Sequence, residues 1–149
     1  MTTHVPYMNT RQDAAFRFLG LPTLMRSTAE STNGTFGLME HWDMPVGFAS
    51  PYHTHRREDE SFYVLEGEIA FLCDGKWLRA STGAFVHGPR DIPHGFRVIG
   101  DTPARMLLMF NSASANAKLI DMLGVPDPSL TNKTLTRLSG QALQADALR

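Results

Sequence analysis

Three histidines and one glutamate have residue types and spacings that could hold a metal ion. His53 and His55 are two residues apart, so both imidazoles would project from the same face of a strand. Glu60 begins a later strand after the charged stretch 56–59, which predicts a turn, and His94 stands at the head of another. If these strand faces all point into a barrel, three imidazoles and one carboxylate converge. That donor set suits one divalent transition ion, namely Fe, Mn, Ni, Co, Cu or Zn, and leaves coordination positions open.

The elements that would position these side chains are short strands separated by turns, a pattern typical of a β-sandwich or barrel. Asp74 and Gly75 form a strong two-residue hairpin signal. No helical pattern alternates with the strands, so an all-β fold is favoured over a parallel α/β sheet. The predicted strands cover residues 36–42, 51–55, 61–65, 68–73, 76–79, 84–88, 95–99 and 105–110.

The chain of 149 residues fits one domain. We divide it into an N-terminal arm (1–33), a β-barrel (34–111) and a C-terminal helical segment (112–149). The helical prediction rests on residues 115–123, a run of helix formers that Gly124 and Pro126 would end.

Composition excludes several other classes of protein. Fourteen basic against fifteen acidic side chains give a net charge of −1, which offers no basic excess for nucleic acid. Cys73 is the single cysteine, so an internal disulfide framework is excluded. No apolar run approaches the roughly 20 residues that span a bilayer, and the N-terminus lacks the layout of a secretory signal. We therefore expect a soluble cytoplasmic protein with no membrane or nucleic-acid partner.

The candidate metal ligands also stand in a pattern that resembles the two motifs of the cupin family. The first motif is matched by Gly47, His53, His55, Glu60 and Gly67, and the second by Gly83, Pro89 and His94. Asp91 replaces a usual glycine and Val98 a frequent asparagine. Since Asp can adopt the left-handed conformation that a turn needs, the first departure is mild; the second removes a side chain that is not a metal ligand.

Residues 58–67 and 100–105 extend the likeness to small single-domain cupins described as quercetin-dioxygenase-like. This resemblance implies a double-stranded β-helix, that is a jelly-roll barrel, with one bound transition metal. Cupins of this kind commonly pair, so it also implies a homodimer. We expect Trp77 and Tyr63 to contribute to its outer-face interface.

The resemblance implies a metal-dependent enzyme acting on a small phenolic or enolic molecule, with a quercetinase-like dioxygenase as the leading interpretation. Glu60 would be both ligand and general base. A non-oxidative cyclase or isomerase, in which the metal is a Lewis acid, and a non-catalytic small-molecule or metal-binding cupin are the alternatives. The residues that share strand faces with the ligands, and so could line the substrate pocket, are Phe62, Val64, Phe96 and Val98.

Two further histidines lie on predicted strands. His41 and His87 could each point into the barrel, although a lone strand histidine is more often structural or at the surface. Either would be a candidate base if the barrel brought it near the metal.

Overall fold

The computed structural model describes residues 5–10, 16–28 and 30–111. This part of the chain folds into nine strands, contains no helix, and therefore has no helix that could span a membrane. The predicted helical segment 112–149 lies outside the described residues. The strands are β1 (Phe16–Phe18), β2 (Leu21–Ser27), β3 (Gly37–Met44), β4 (Glu60–Glu66), β5 (Glu68–Cys73), β6 (Lys76–Ser81), β7 (Phe85–Gly88), β8 (His94–Ile99) and β9 (Ala104–Phe110).

The strands form two antiparallel sheets, which confirms the predicted all-β jelly roll. The larger sheet has the order β1-β2-β3-β9-β4-β7, and the smaller has the order β6-β5-β8. Successive strands β4 and β5 lie in different sheets, so the chain passes from one sheet to the other between Glu66 and Glu68. This crossing places strands that are distant in sequence on two faces of one core.

The hydrophobic core lies between the two sheets. Alternate residues of β4, namely Glu60, Phe62 and Val64, are buried, because successive side chains of a strand point to opposite faces. The ring centroids of Phe62 in the larger sheet and Phe71 in the smaller lie 4.8 Å apart. Burying aromatic rings from both sheets stabilises their packing, at about 25 cal/mol for each Å² of apolar surface removed from water.

A glycine is required where the chain crosses between the sheets. Gly67 has a φ of +80°, and a Cβ atom there would lie only 2.9 Å from the Cα atom of Ala104. Gly34 has a similar φ of +78° but open space around it. At Gly67 both the positive φ and the lack of space for a Cβ atom require glycine, whereas at Gly34 only the positive φ does.

Two segments differ from the strand prediction. Residues 51–55 form no regular strand; His53 makes an isolated bridge with His94 instead, and Pro51 supplies no N–H group to a ladder. In contrast, β1 and β2 were not predicted as strands. Pro22 within β2 weakened the sequence signal, but tertiary packing buries Leu21 and Leu24 and extends the larger sheet through β3.

Candidate metal centre

The structure brings His53, His55, Glu60 and His94 to one point inside the barrel. One possible ligand atom from each residue lies within 4.8 Å of those from the other three. Glu60 Oε2 lies 2.7 Å from His94 Nε2, 3.0 Å from His55 Nε2 and 3.4 Å from His53 Nε2. His55, Glu60 and His94 are buried, whereas the side chain of His53 is 30% exposed. The site therefore reaches solvent beside His53.

Both sheets contribute to this cluster. Glu60 is the first residue of β4 in the larger sheet, and His94 is the first residue of β8 in the smaller sheet. His53 is aligned with His94 by two reciprocal main-chain hydrogen bonds, in which each N–H donates to the other's carbonyl at 2.9 Å. A local bridge, rather than the predicted regular strand, therefore positions the first histidine.

His55 is positioned by a turn. The main-chain N–H of Asp91 donates to the carbonyl of His55 at 2.7 Å. Asp91 has a φ of +64°, which confirms that aspartate adopts the left-handed conformation at the position where the cupin motif usually has glycine.

The outer ring nitrogen of each histidine has an oxygen partner. Every Nδ1 atom lies 2.9 Å from an oxygen that can only accept a hydrogen bond, so each neutral imidazole carries its hydrogen on Nδ1 and directs the Nε2 lone pair inward. Such partners orient metal-binding histidines. The pairs are His53 with the Pro51 carbonyl, His94 with the Ile92 carbonyl, and His55 with Glu58 Oε1.

The inward atoms fit a cation. His53 Nε2 and His55 Nε2 lie 2.9 Å apart, and two lone pairs at that distance require a positive charge between or beside them. Neighbouring donors on an ion with bonds of about 2.1 Å would lie about 3 Å apart, close to the separations found here. Neutral imidazoles with one carboxylate suit a divalent transition ion.

Electrostatics keep the carboxylate charged. Burial alone would raise the pKa of Glu60, but its close contacts with the three histidine side chains outweigh burial and hold that pKa well below its ordinary value. Burial likewise would lower the pKa of His55, but Glu60 and Glu58 raise it above the ordinary value. In the absence of an ion, the cluster therefore attracts protons, and a metal ion must compete with them.

The predicted pocket residues lie in the hydrophobic core, and Phe62 packs beside the cluster. The ring centroid of Phe62 lies 6.0 Å from that of His94 and 6.1 Å from that of Phe96. Val64 and Val98 are also buried in the core. That these four residues line a substrate pocket stays a prediction.

Sequence reasoning missed two contacts of His55. The ring of Phe110 lies 5.4 Å from that of His55, and Phe110 is aligned with Glu60 in the strand register. Glu58 belongs to the charged stretch 56–59, which the sequence predicts only as a turn, although an acidic residue three positions after a candidate ligand is a possible partner for it.

The two remaining strand histidines have different positions. His87 is exposed and lies 3.0 Å from the hydroxyl of Ser61, so it does not point into the barrel. His41 is buried, stacks on Phe18 and lies 2.7 Å from the Thr23 hydroxyl. Burial lowers the pKa of His41 to about 4 despite the opposing negative charges of Glu60 and Glu40, so His41 is neutral near pH 7.

Comparison with known proteins agrees with this fold and cluster. Residues 40–110 match the family model described as the cupin domain, a range that contains all four candidate ligands. Over these residues the chain is therefore similar to proteins of the cupin superfamily, and the jelly-roll fold and the histidine–glutamate cluster agree with that similarity. Proteins of this superfamily commonly bind a metal, and His53, His55, Glu60 and His94 fit that property.

The curated relatives include proteins with different activities. A germin-like protein (subfamily 2 member 2) of Arabidopsis thaliana is 34% identical over 64% of this chain and 46% of its own length. Quercetin 2,3-dioxygenase of Bacillus subtilis is 30% identical over 46% of this chain and 20% of its own. Polyketide synthase CurC of Streptomyces cyaneus is 37% identical over 54% of this chain and 50% of its own. The chain thus spans half the length of these relatives or less.

Solved structures with similar folds include an RmlC-like cupin and a polyketide cyclase. An RmlC-like cupin from Shewanella frigidimarina superposes with a TM-score of 0.61 at 21% identity, over 73% of this chain and 92% of its own. The polyketide cyclase RemF from Streptomyces resistomycificus gives a TM-score of 0.60 at 23% identity, over 71% of this chain and 79% of its own. At these identities the likeness shows the fold alone.

Proposed function

We propose that the protein is a metal-dependent enzyme acting on a small organic molecule that carries an enol or phenol group. The observation that carries this proposal is the convergence of three Nε2 atoms and one carboxylate oxygen, with every Nδ1 atom held by an outer partner. Four protein ligands do not fill the five or six positions that many transition ions accept. The partial exposure of His53 offers a route for a substrate oxygen.

The leading form of the proposal is a dioxygenase, which the partial similarity to quercetin 2,3-dioxygenase supports. When bound, a redox-active ion supplies Lewis acidity toward an enolate or phenolate oxygen and electrons for reaction with dioxygen. Glu60 uses Oε2 toward the three histidines, and its Oε1 has no hydrogen bond within the described part of the chain. Glu60 Oε1 accepts the substrate's hydroxyl proton, while the nearby rings of Phe62 and Phe110 limit water around the histidines.

A second candidate is a non-oxidative cyclase or isomerase. The similarity to the polyketide synthase protein CurC favours it, and the fold of the polyketide cyclase RemF is compatible with it. The same four residues would then hold an ion that polarises a carbonyl group without consuming oxygen.

Oxygen consumption separates the two candidates. Protein loaded with Fe²⁺, Mn²⁺ or Zn²⁺ is offered a panel of phenols and 1,3-dicarbonyl compounds, in air and under nitrogen. We expect oxygen uptake that depends on Fe²⁺ or Mn²⁺ and disappears in His94→Ala. Turnover that continues under nitrogen with Zn²⁺ would favour the cyclase, and thermal stabilisation by a compound without any turnover would favour a binding protein.

Metal content tests the centre itself. Wild-type protein purified without a histidine tag or chelator should carry close to one transition ion per chain, because its donors are already assembled. His94→Ala should lower the metal content well beyond what Phe62→Ala does. Phe62→Ala is the control, since Phe62 lies beside the cluster but offers no ligand atom. Occupancy far below one half in the wild type would contradict the metal centre.

A further inference from the structure

Glu58 contacts a histidine of the candidate metal centre although the sequence places it in a charged turn. Its Oε1 lies 2.9 Å from His55 Nδ1, and the two side chains are only 13% and 7% exposed. His53 and His94 direct their Nδ1 atoms to neutral main-chain carbonyls instead. His55 is therefore the one candidate ligand with a charged outer partner among the described residues.

The turn that presents Glu58 is tied to the rest of the barrel. The carboxylate of Asp59 accepts hydrogen bonds from the main-chain N–H of Arg90 at 2.9 Å and from Asn111 Nδ2 at 2.8 Å. The main-chain N–H of Asp59 donates to Asn111 Oδ1 at 3.0 Å. These contacts fix the residue next to Glu58, so the approach of Glu58 to His55 belongs to an anchored turn.

We infer that Glu58 is a positioning residue, which holds His55 as a ligand and supplies a second negative charge to the metal centre. This inference rests on the proposed metal centre. The ionised carboxylate accepts the Nδ1–H of His55, which fixes the ring orientation and makes Nε2 a stronger donor. With three neutral imidazoles, the charges of Glu58 and Glu60 together balance a divalent cation.

Glu58→Gln tests the charge because it keeps the size of the side chain and an oxygen that can accept from Nδ1. The measurement is the affinity of the full chain for Zn²⁺ and Co²⁺, by competition with a chromophoric chelator at one fixed pH. We expect affinity about 10- to 100-fold below that of the wild type, the usual effect of losing an outer partner. We also expect a shift in the visible absorption bands of the Co²⁺ form, because the donor strength of His55 changes.

Asp59→Asn is the matched control. It removes the same charge from the next residue of the same turn, but Asp59 contacts Arg90 and Asn111 rather than a histidine of the cluster. We expect its metal affinity to stay within about threefold of the wild type, since Asn keeps the Oδ1 acceptor for Arg90 N–H and the main-chain bond to Asn111 that anchor the turn, and the lost charge faces Arg90 rather than the cluster. Its Co²⁺ spectrum should match that of the wild type, even where the metal-free protein unfolds at a lower temperature.

The outcomes distinguish the inference from the proposed function. If the wild type binds metal and Glu58→Gln has the same metal affinity and the same Co²⁺ spectrum, the role of Glu58 is overturned. The proposed metal centre is then left intact. An equal loss in Asp59→Asn would also overturn it, because the effect would then belong to the turn as a whole. Failure of the wild type to bind either ion would overturn both.

Glu58→Ala is the second variant, because it removes the charge and the acceptor together. It should lose at least as much affinity as Glu58→Gln, and wild-type affinity in this variant would equally overturn the inference. A thermal unfolding curve of each metal-free variant checks that the variant is folded at the temperature of the affinity measurement.

Discussion

At the scale of single residues, the cluster depends on how the outer side of each imidazole is held. The spacing of His53, His55, Glu60 and His94 was enough to predict that they converge, and the structure brings these residues together; that they bind a metal stays a prediction. The role of Glu58 was not predictable in the same way, because it depends on how the turn bends back on His55. Sequence spacing along strands predicts which face a side chain occupies, but it does not predict contacts made through turns.

Glu60→Gln separates the two roles proposed for this carboxylate. Gln keeps a possible ligand oxygen but removes the charge that the low pKa of Glu60 maintains. We expect turnover of a true substrate to fall by about 10²- to 10⁴-fold, the usual contribution of a positioned general base, while metal content falls less than in His53→Ala. Steady-state kinetics and metal analysis of both variants check this. Near wild-type turnover with full metal would leave Glu60 as a ligand only.

His41 should make the stability of the protein sensitive to acid. Its pKa is lowered to about 4 in the fold, against about 6.5 in an unfolded chain. The unfolded state therefore binds more protons between these values, and stability falls as pH decreases through this range. The lost free energy of unfolding is about 2 kcal/mol at pH 5 and approaches about 3 kcal/mol near pH 4.

His41→Gln should remove this loss, because Gln stays neutral throughout. Urea unfolding of metal-free protein at pH 7.5 and pH 5 measures the effect, and comparison with the wild type cancels the contributions of the other histidines. His87→Gln is the control, since His87 is exposed. The same acid sensitivity in His41→Gln and the wild type would contradict the prediction.

At the scale of the elements, the regular hairpins were predictable and the irregular connections were not. The strands flanking Asp74 and Gly75 were predicted within about two residues, because local turn chemistry specifies them. Residues 51–55 depend on His94, which is distant in sequence, and β2 depends, despite Pro22, on packing against β3. Such pairing overrides local propensity, so a single sequence carries little signal for it.

The crossing between β4 and β5 predicts different costs for two glycine substitutions. Gly34→Ala should cost about 1 kcal/mol of unfolding free energy, from the left-handed backbone alone. Gly67→Ala should cost at least about twice as much, because its Cβ would also press on the main chain at Ala104. Urea unfolding of both variants gives the comparison, and equal costs would mean that the barrel absorbs the added methyl group without strain.

At the scale of the whole molecule, three exposed apolar side chains lie on neighbouring strands of the larger sheet. Tyr63, Phe85 and Met109 are 42%, 61% and 40% exposed and lie on the neighbouring strands β4, β7 and β9. Trp77 belongs to β6 of the smaller sheet, so Trp77 and Tyr63 do not form the one surface expected from sequence. The homodimer stays a prediction, and Tyr63, Phe85 and Met109 now define its expected interface.

Phe85→Glu tests this interface. Light scattering at micromolar concentration should give about twice the chain mass of 16.6 kDa for the wild type and a lower mass for the variant. Leu78→Glu introduces the same charge at a residue that is 47% exposed on the smaller sheet, and should leave the dimer intact. A monomeric wild type would refute the dimer, and dissociation by Leu78→Glu alone would place the interface on the other sheet.

The position of the ligands at the starts of β4 and β8 has a consequence for kinetics. Glu60 belongs to one sheet and His94 to the other, so an ion bound by both would link the two sheets. Separating the sheets would then require the ion to lose ligands first, which would slow unfolding independently of any activity. The availability of the metal ion would then determine how long the chain stays folded, as well as whether the proposed activity is present.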